Sequence, residues 1–252
     1  MRAYVTDVAQ PKPLDQLARE IAAAANCRAI LVGGQALGVW VEFFGLTARL
    51  SRESTSLDID FVGHLSDAKK LAEHLNAKLS IAARFSHTPN IAHITASAAD
   101  GSVVDIDVLK QAFGIDNDAL RRHAVTVRQG DKNILIMHPV HVLQSRLANT
   151  LRLRGRYASD HGIAQLQAAM LCVNYFIRHR LRENERDACM WARTISNWAH
   201  DNSLGHLAWT AHGLDLLLCI PIEAMPRRFR EQEWPVLLKR VELRRAKKPI
   251  RG

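Results

Sequence analysis

The stretch Ser54-Thr55-Ser56-Leu57-Asp58-Ile59-Asp60-Phe61-Val62 sets two aspartates, one residue apart, into what otherwise reads as a buried strand over residues 57–62. Leu57, Ile59, Phe61 and Val62 favour strands, and aspartate does not. In a strand, residues i and i+2 point to the same face, so both carboxylates emerge together. Two negative charges on one face repel unless something positive sits between them.

On either side of this stretch lie two features that bear on the same question. Upstream, Ala29-Ile30-Leu31-Val32 is a short apolar strand stopped by Gly33-Gly34, after which Gln35 to Phe44 reads as a helix ending near Gly45. Downstream, Val103-Val104-Asp105-Ile106-Asp107-Val108-Leu109 repeats the pattern of two same-face aspartates, just after an Asp100-Gly101 turn. If the two aspartate strands lie close in one sheet, three or four carboxylates converge, which an apolar environment does not tolerate without cations. Magnesium is the natural solution, because carboxylate oxygens are its preferred ligands. Two such ions about 3.5–4 Å apart would form the device for displacement at phosphorus. The glycines let the backbone approach a ligand closely, and the helix opening at Gln35 offers free N–H groups, a place for a triphosphate. A Gly-Gly turn alone is commonly a tight turn, and a lone Asp-x-Asp is most often a pair of surface aspartates. The order of the three features carries the reading.

That order resembles the nucleotidyltransferase superfamily related to DNA polymerase beta. "VGGQAL" and "SLDIDF" are most similar to the AbiEii-type minimal nucleotidyltransferases, known chiefly as toxins of toxin–antitoxin systems. The motifs cover residues 29–109, and the helical second half is similar only in architecture. The resemblance implies that Gly33 and Gly34 hold nucleotide phosphates, that Asp58 and Asp60 bind metal, and that a third carboxylate, Asp107 in preference to Asp105, helps bind metal and activates the acceptor hydroxyl. Gln35, Ser56 and Lys110 are the further candidate nucleotide contacts. Ser54 stands where the family often has an arginine, with Arg52 two positions off, and Gly34 and Asp58 lie 24 residues apart, longer than in the smallest members.

With 252 residues, 48% of them hydrophobic and 23% charged, the chain can bury a proper core. MRAYVTDVAQPKP lacks the apolar stretch of a signal peptide and no run of about 18 apolar residues follows, so neither membrane span nor membrane partner is expected. Cys27, Cys172, Cys189 and Cys219 form no CxxC pair and read as reduced core residues, which suggests the cytoplasm. Residues 1–135 hold 15 Lys/Arg against 15 Asp/Glu, whereas residues 136–252 hold 19 against 10, so the second half carries the whole net charge of +9. Such asymmetry favours a polyanionic partner, with nucleic acid leading, beside the reading of a merely soluble basic surface.

Helices are further expected over 14–25 and 66–76, the latter with Ser66 as N-cap, and strands over 79–85, 91–96, 124–128 and 133–137. From His138-Pro139 to about residue 245 the pattern is successive helices, with breaks near Gly155, Asp201–Gly205 and Pro221. The expected architecture is therefore α/β (α+β): a mixed sheet with flanking helices over 1–137, then an all-helical basic lobe over 138–252. In the helix "HVLQSRLANTLRLRGRY", Arg146, Arg152, Arg154 and Arg156 are candidate nucleic-acid contacts, or simply an arginine face. His138 and His141 read as helix-start residues rather than metal ligands. Arg178, Arg180 and Arg182 are expected to pair with Glu183, Glu185 and Asp187. Trp191, Trp198, Trp209 and Trp234 read as core or lobe contacts.

The function these features imply is magnesium-dependent transfer of a nucleoside monophosphate from a triphosphate to a hydroxyl, with two ions. RNA or tRNA is the leading acceptor, a protein hydroxyl the other, and a cognate toxin or antitoxin a possible partner. The alternative is a catalytically idle protein of the same fold that binds nucleotide or RNA as a regulator.

Overall fold

The computed structural model describes residues 4–5, 13–25, 27–47, 58–83, 87–97, 103–129, 132–153, 159–200 and 203–246. Among them the chain divides into two compact units, Met1–Arg146 and Leu147–Gly252. The expected boundary at 137/138 stands ahead of a helix, and the division falls inside that helix.

The first unit is an α/β fold around one mixed sheet. Its strands are β1 (Tyr4–Val5), β2 (Ile30–Val32), β3 (Ile59–Val62), β4 (Lys78–Ile81), β5 (Asn90–Ser97), β6 (Val103–Leu109), β7 (Val125–Gln129) and β8 (Lys132–Ile136). Their spatial order is β1-β7-β8-β2-β3-β6-β5-β4. β3 runs parallel to β6, while β2 runs antiparallel to β3 and β5 antiparallel to β6. The unit's helices are α1 (Pro13–Ala24), α2 (Gly33–Phe43), α3 (Leu65–His74) and α4 (Asn117–His123), followed by α5 (Pro139–Arg152), which reaches past the division.

The sequence pattern explains these elements. In β5, Ala92, Ile94 and Ala96 are buried, as are Val104, Ile106 and Val108 in β6 and Ile59 and Phe61 in β3, so across these strands one face is apolar and the opposite face carries His93, Thr95, Asp105, Asp107 and Asp60. α2 is apolar nearly all round and its Trp40 Nε1 donates to the Met137 carbonyl at 2.8 Å, tying the helix to the end of β8. An enclosed ion pair between Arg19 and Glu42 joins α1 to α2. α5 opens with Pro139 in its first turn, where a missing N–H costs nothing, and the Val140 N–H donates to His138 Nδ1 at 3.2 Å.

Several expected boundaries shift. Gly33 and Gly34 form the first turn of α2 rather than a turn ahead of it. β3 begins at Ile59, so Asp58 occupies a bend at the strand's entrance. The N-cap of α3 is His64, not Ser66, because Asp67 Oδ2 accepts from the His64 N–H at 2.8 Å and its Oδ1 from the Arg28 N–H at 3.2 Å. The Asp100-Gly101 turn and the break near Gly155 lie outside the described residues.

The second unit holds α6 (Asp160–Glu183), α7 (Glu185–His200), α8 (Ser203–His212) and α9 (Trp234–Ala246), with 3-10 turns at Leu216–Cys219 and Ile222–Ala224 and a π-helical turn at Phe229–Glu233. α7 packs against α6, α8 and α9. Gly205 lies inside α8 rather than at a break: a Cβ there would sit 2.1 Å from the Trp198 carbonyl oxygen, so only glycine lets α8 approach α7 this closely. The break between α6 and α7 falls at Asn184, whose Oδ1 accepts from the Asp187 N–H at 3.2 Å. Trp191 is core, while Trp209 is 38% exposed and carries Arg245 over its ring at 4.2 Å. All four cysteines are free, and burial pushes the Cys172 thiol up to about 12. Among the described residues, no single helix is long and apolar enough to cross a membrane.

Candidate active site

A row of residues crosses four strands at one level on the polar face of the sheet. In the strand register Val32 of β2 pairs with Asp60 of β3, Asp60 with Asp107 of β6, and Asp107 with His93 of β5. Register partners on adjacent strands project side chains to the same face, with backbones about 4.8 Å apart. The two carboxylates therefore stand side by side. Immediately after Val32 the chain turns into α2 through Gly33, whose φ is +69°. A Cβ on Gly33 would lie 2.4 Å from Asp60 Oδ2, so the aspartate occupies the space that a side chain at 33 would fill. Val32, the N-cap of α2, offers no side-chain bond to the helix's first amides. The positive end of the α2 dipole lies beside the Asp60 carboxylate, where negative charge is favoured.

His93 stands opposite both aspartates of β6 on this face. Its Nδ1 lies 2.9 Å from Asp107 Oδ1 and its Nε2 3.0 Å from Asp105 Oδ1. The hydrogen bond to Asp107, then the charges of both aspartates, hold the imidazole above its usual range. Asn90 Nδ2 donates to the same Asp107 oxygen at 2.8 Å, and Thr95 Oγ1 to Asp105 Oδ1 at 3.3 Å. His93, Asn90 and Thr95 escaped the reading of the sequence. The alternation through Ala92, Ile94 and Ala96 puts His93 and Thr95 on the polar face, and only the pairing of β5 with β6 sets them against the aspartates.

The structure brings Gly33, Asp60 and Asp107 together and puts Asp58 just ahead of the first ladder pair of β3, Ile59 with Ile106. Asp105 projects to the same face as Asp107, with its side chain 59% exposed. Gln35 is buried, its side chain enclosed by the protein. Lys110 follows the end of β6, three residues beyond Asp107, and its Nζ reaches the Thr88 carbonyl at 3.4 Å. Arg152 is exposed, but Arg146 is only 7% exposed, since it lies on the packed side of α5, and so does not face solvent as an RNA contact would. Ser56, Arg154 and Arg156 lie outside the described residues. His123, His138 and His141 gather with ring centroids 5.5–6.2 Å apart. Burial, and the neighbouring His123, press His141 down to about 4.

Among the described residues no three His, Cys, Asp or Glu side chains are gathered to hold a metal ion by themselves. Magnesium does not require that: it dehydrates reluctantly and is commonly bound by one or two carboxylates together with water and substrate phosphates. Asp60 and Asp107, side by side across β3 and β6 with Asp58 at the strand's entrance, have the chemistry and register for such a site.

Fold and site thus define an α+β protein with an acidic sheet face at the start of a glycine-led helix. No family model matches the chain, and no curated protein matches it. Among solved structures it is similar to an antigenic nucleotidyltransferase-like protein from Paracoccidioides brasiliensis, at 15% identity over 62% of this chain and 73% of that one, with a TM-score of 0.41. It is also similar to a putative nucleotidyltransferase from H. pylori, at 12% identity over 91% of this chain and 95% of that one, with a TM-score of 0.37. At these scores the likenesses add no weight to a reading of function.

Proposed function

We propose that this chain is a magnesium-dependent nucleotidyltransferase, moving a nucleoside monophosphate from a nucleoside triphosphate to a hydroxyl acceptor. The observation that carries the reading is the register of Asp60 with Asp107, set beside the glycine-led start of α2. The motifs' resemblance to the polymerase-beta-related superfamily supports it. Asp58, Asp60 and Asp107 would hold the metal, which when bound supplies neutralising charge to the triphosphate. The amides of Gly33 and Gly34 bind its phosphates, aided by the absence of a Cβ at 33. Asp107 orients the acceptor hydroxyl and takes its proton. The hydroxyl oxygen bonds to the α-phosphorus as the bond to the bridging oxygen breaks, and pyrophosphate leaves with that electron pair. The residues act by positioning and by charge compensation.

RNA, tRNA included, is the first acceptor to test, because the second half of the chain carries the whole positive excess and leaves Arg152, Arg186, Arg230 and Arg240 exposed. A protein hydroxyl is the other acceptor. A cytoplasmic location and a cognate toxin or antitoxin belong to the same proposal.

A second reading, an idle nucleotide- or RNA-binding protein of this fold, is favoured by one observation: Asp105 and Asp107 are already engaged by His93, Asn90 and Thr95. The two readings separate when each of four α-labelled nucleoside triphosphates is offered with magnesium and total RNA to wild type and to Asp58→Ala/Asp60→Ala. Label on RNA that needs both metal and aspartates is the expected result. Binding of RNA by both proteins, with no label on RNA or on added protein, would leave the idle reading.

A further inference from the structure

We propose that His93 is a positioning residue, a clamp anchored on Asp105 that fixes the orientation of Asp107. This inference rests on the transferase reading above. It assigns to Asp105 a role distinct from that of a metal ligand: Asp105 acts through His93.

The geometry has three parts. First, His93 is the register partner of Asp107 and Thr95 that of Asp105, so the imidazole stands across from the pair of aspartates on β6 and reaches both. One ring nitrogen serves each carboxylate, at 2.9 Å and 3.0 Å, which pins the plane of the ring between two fixed points. Second, the bonds to Asp107 converge on Oδ1, from His93 and from Asn90 at 2.8 Å. They leave Oδ2 as the oxygen with no hydrogen bond to a described residue. A carboxylate held by one oxygen presents the other in a set direction, as outer partners do for first ligands around metals. Third, Asp105 has its Oδ1 occupied by His93 and Thr95 and lies two residues along β6 from the level of Asp60 and Asp107. Asp105 steadies the ring, and the ring, with Asn90, steadies Asp107.

The alternative is that Asp105 and Asp107 are equivalent ligands, with His93 a surface counter-charge. The two differ in how substitutions combine. If Asp105 acts through His93, removing both costs no more than removing His93 alone. If Asp105 is itself a ligand, its loss adds to that of His93.

The experiment measures Mn2+ uptake, as the fall in free-ion paramagnetic resonance, with a non-hydrolysable triphosphate present. Wild type is compared with His93→Ala, His93→Gln, Asp105→Ala and the double variant His93→Ala/Asp105→Ala. The magnesium concentration for half-maximal transfer is measured in parallel. All these side chains are at least partly exposed, and circular dichroism verifies that each variant is folded.

His93→Ala and Asp105→Ala are each expected to weaken Mn2+ binding about 10- to 100-fold. They raise the half-saturating magnesium more than they lower kcat. His93→Gln, which keeps one N–H for Asp107, recovers part of the loss, and the double variant is no weaker than His93→Ala. Wild-type affinity in His93→Ala, or fully additive losses in the double variant, would overturn the clamp while leaving the transferase reading intact. A wild type that neither takes up Mn2+ nor transfers label would overturn the transferase reading and the clamp with it.

Discussion

Asp105 and Asp107 share a single imidazole on the sheet face, whereas in the helical unit several carboxylates each have an arginine of their own. There Arg180 takes Glu183 and Asp187, Arg178 takes Glu223, Arg193 takes Glu233 through two bonds, and Arg245 takes Asp215 while lying over Trp209. Paired charges hold helices in place and leave little to offer a ligand. A face on which the strand register gathers several carboxylates, beside the glycine-led start of a helix, can attract a metal–triphosphate complex. The difference teaches where to look for chemistry in this chain: where the register of the strands gathers carboxylates on one face, not where charged residues are most numerous.

The comparison breaks most sharply at Asp60. Asp60→Ala is expected to lower transfer about a thousandfold while the variant remains folded by circular dichroism. A variant that loses stability instead would make Asp60 a structural residue like those of the helical unit.

Next in size is a charge that the fold excludes. His141 titrates near 4 in the folded protein, against an ordinary 6.5. The unfolded chain therefore binds a proton that the folded one refuses. This contribution is complete above pH 6.5 and disappears as pH falls from 6.5 toward 4, about 3 kcal/mol in all. Urea unfolding at pH 7 and near pH 4.5 measures it, and His141→Phe should flatten that part of the profile. An unchanged profile in the variant would assign the acid sensitivity to other groups.

Gly205→Ala forces a Cβ against the Trp198 carbonyl and should cost about 1–3 kcal/mol, read as a lower urea midpoint, with transfer retained by the folded fraction. Smallest of all is Glu233→Gln, which halves a partly exposed ion pair with Arg193. It should cost about 0.2–1 kcal/mol, a loss that shrinks in high salt, with no change in transfer.

Much of the candidate site is legible in the sequence, because its signals are local. Glycine after an apolar strand and aspartates at i and i+2 need only the strand period to be read, and they pointed to Gly33, Asp60 and Asp107. The register that sets Asp60 beside Asp107 is a long-range pairing across some 45 residues, and no local pattern dictates it. For the same reason His93, 14 residues from Asp107 along the chain, went unnoticed. Asn184 did have a local signal, an N-cap with Asp187 three residues on, masked by the run of charges around it. Arg146 misled because an arginine on an amphipathic helix reads as surface, and the packing of α5 is what enclosed it.

The most direct test of the central claim is transfer of an α-labelled nucleoside monophosphate by wild type, Asp60→Asn and Glu233→Gln, each with magnesium and with the metal chelated. Label transferred by wild type and Glu233→Gln, and lost both in Asp60→Asn and on chelation, is the predicted result. Equal label in all three proteins, or label indifferent to the metal, would contradict it.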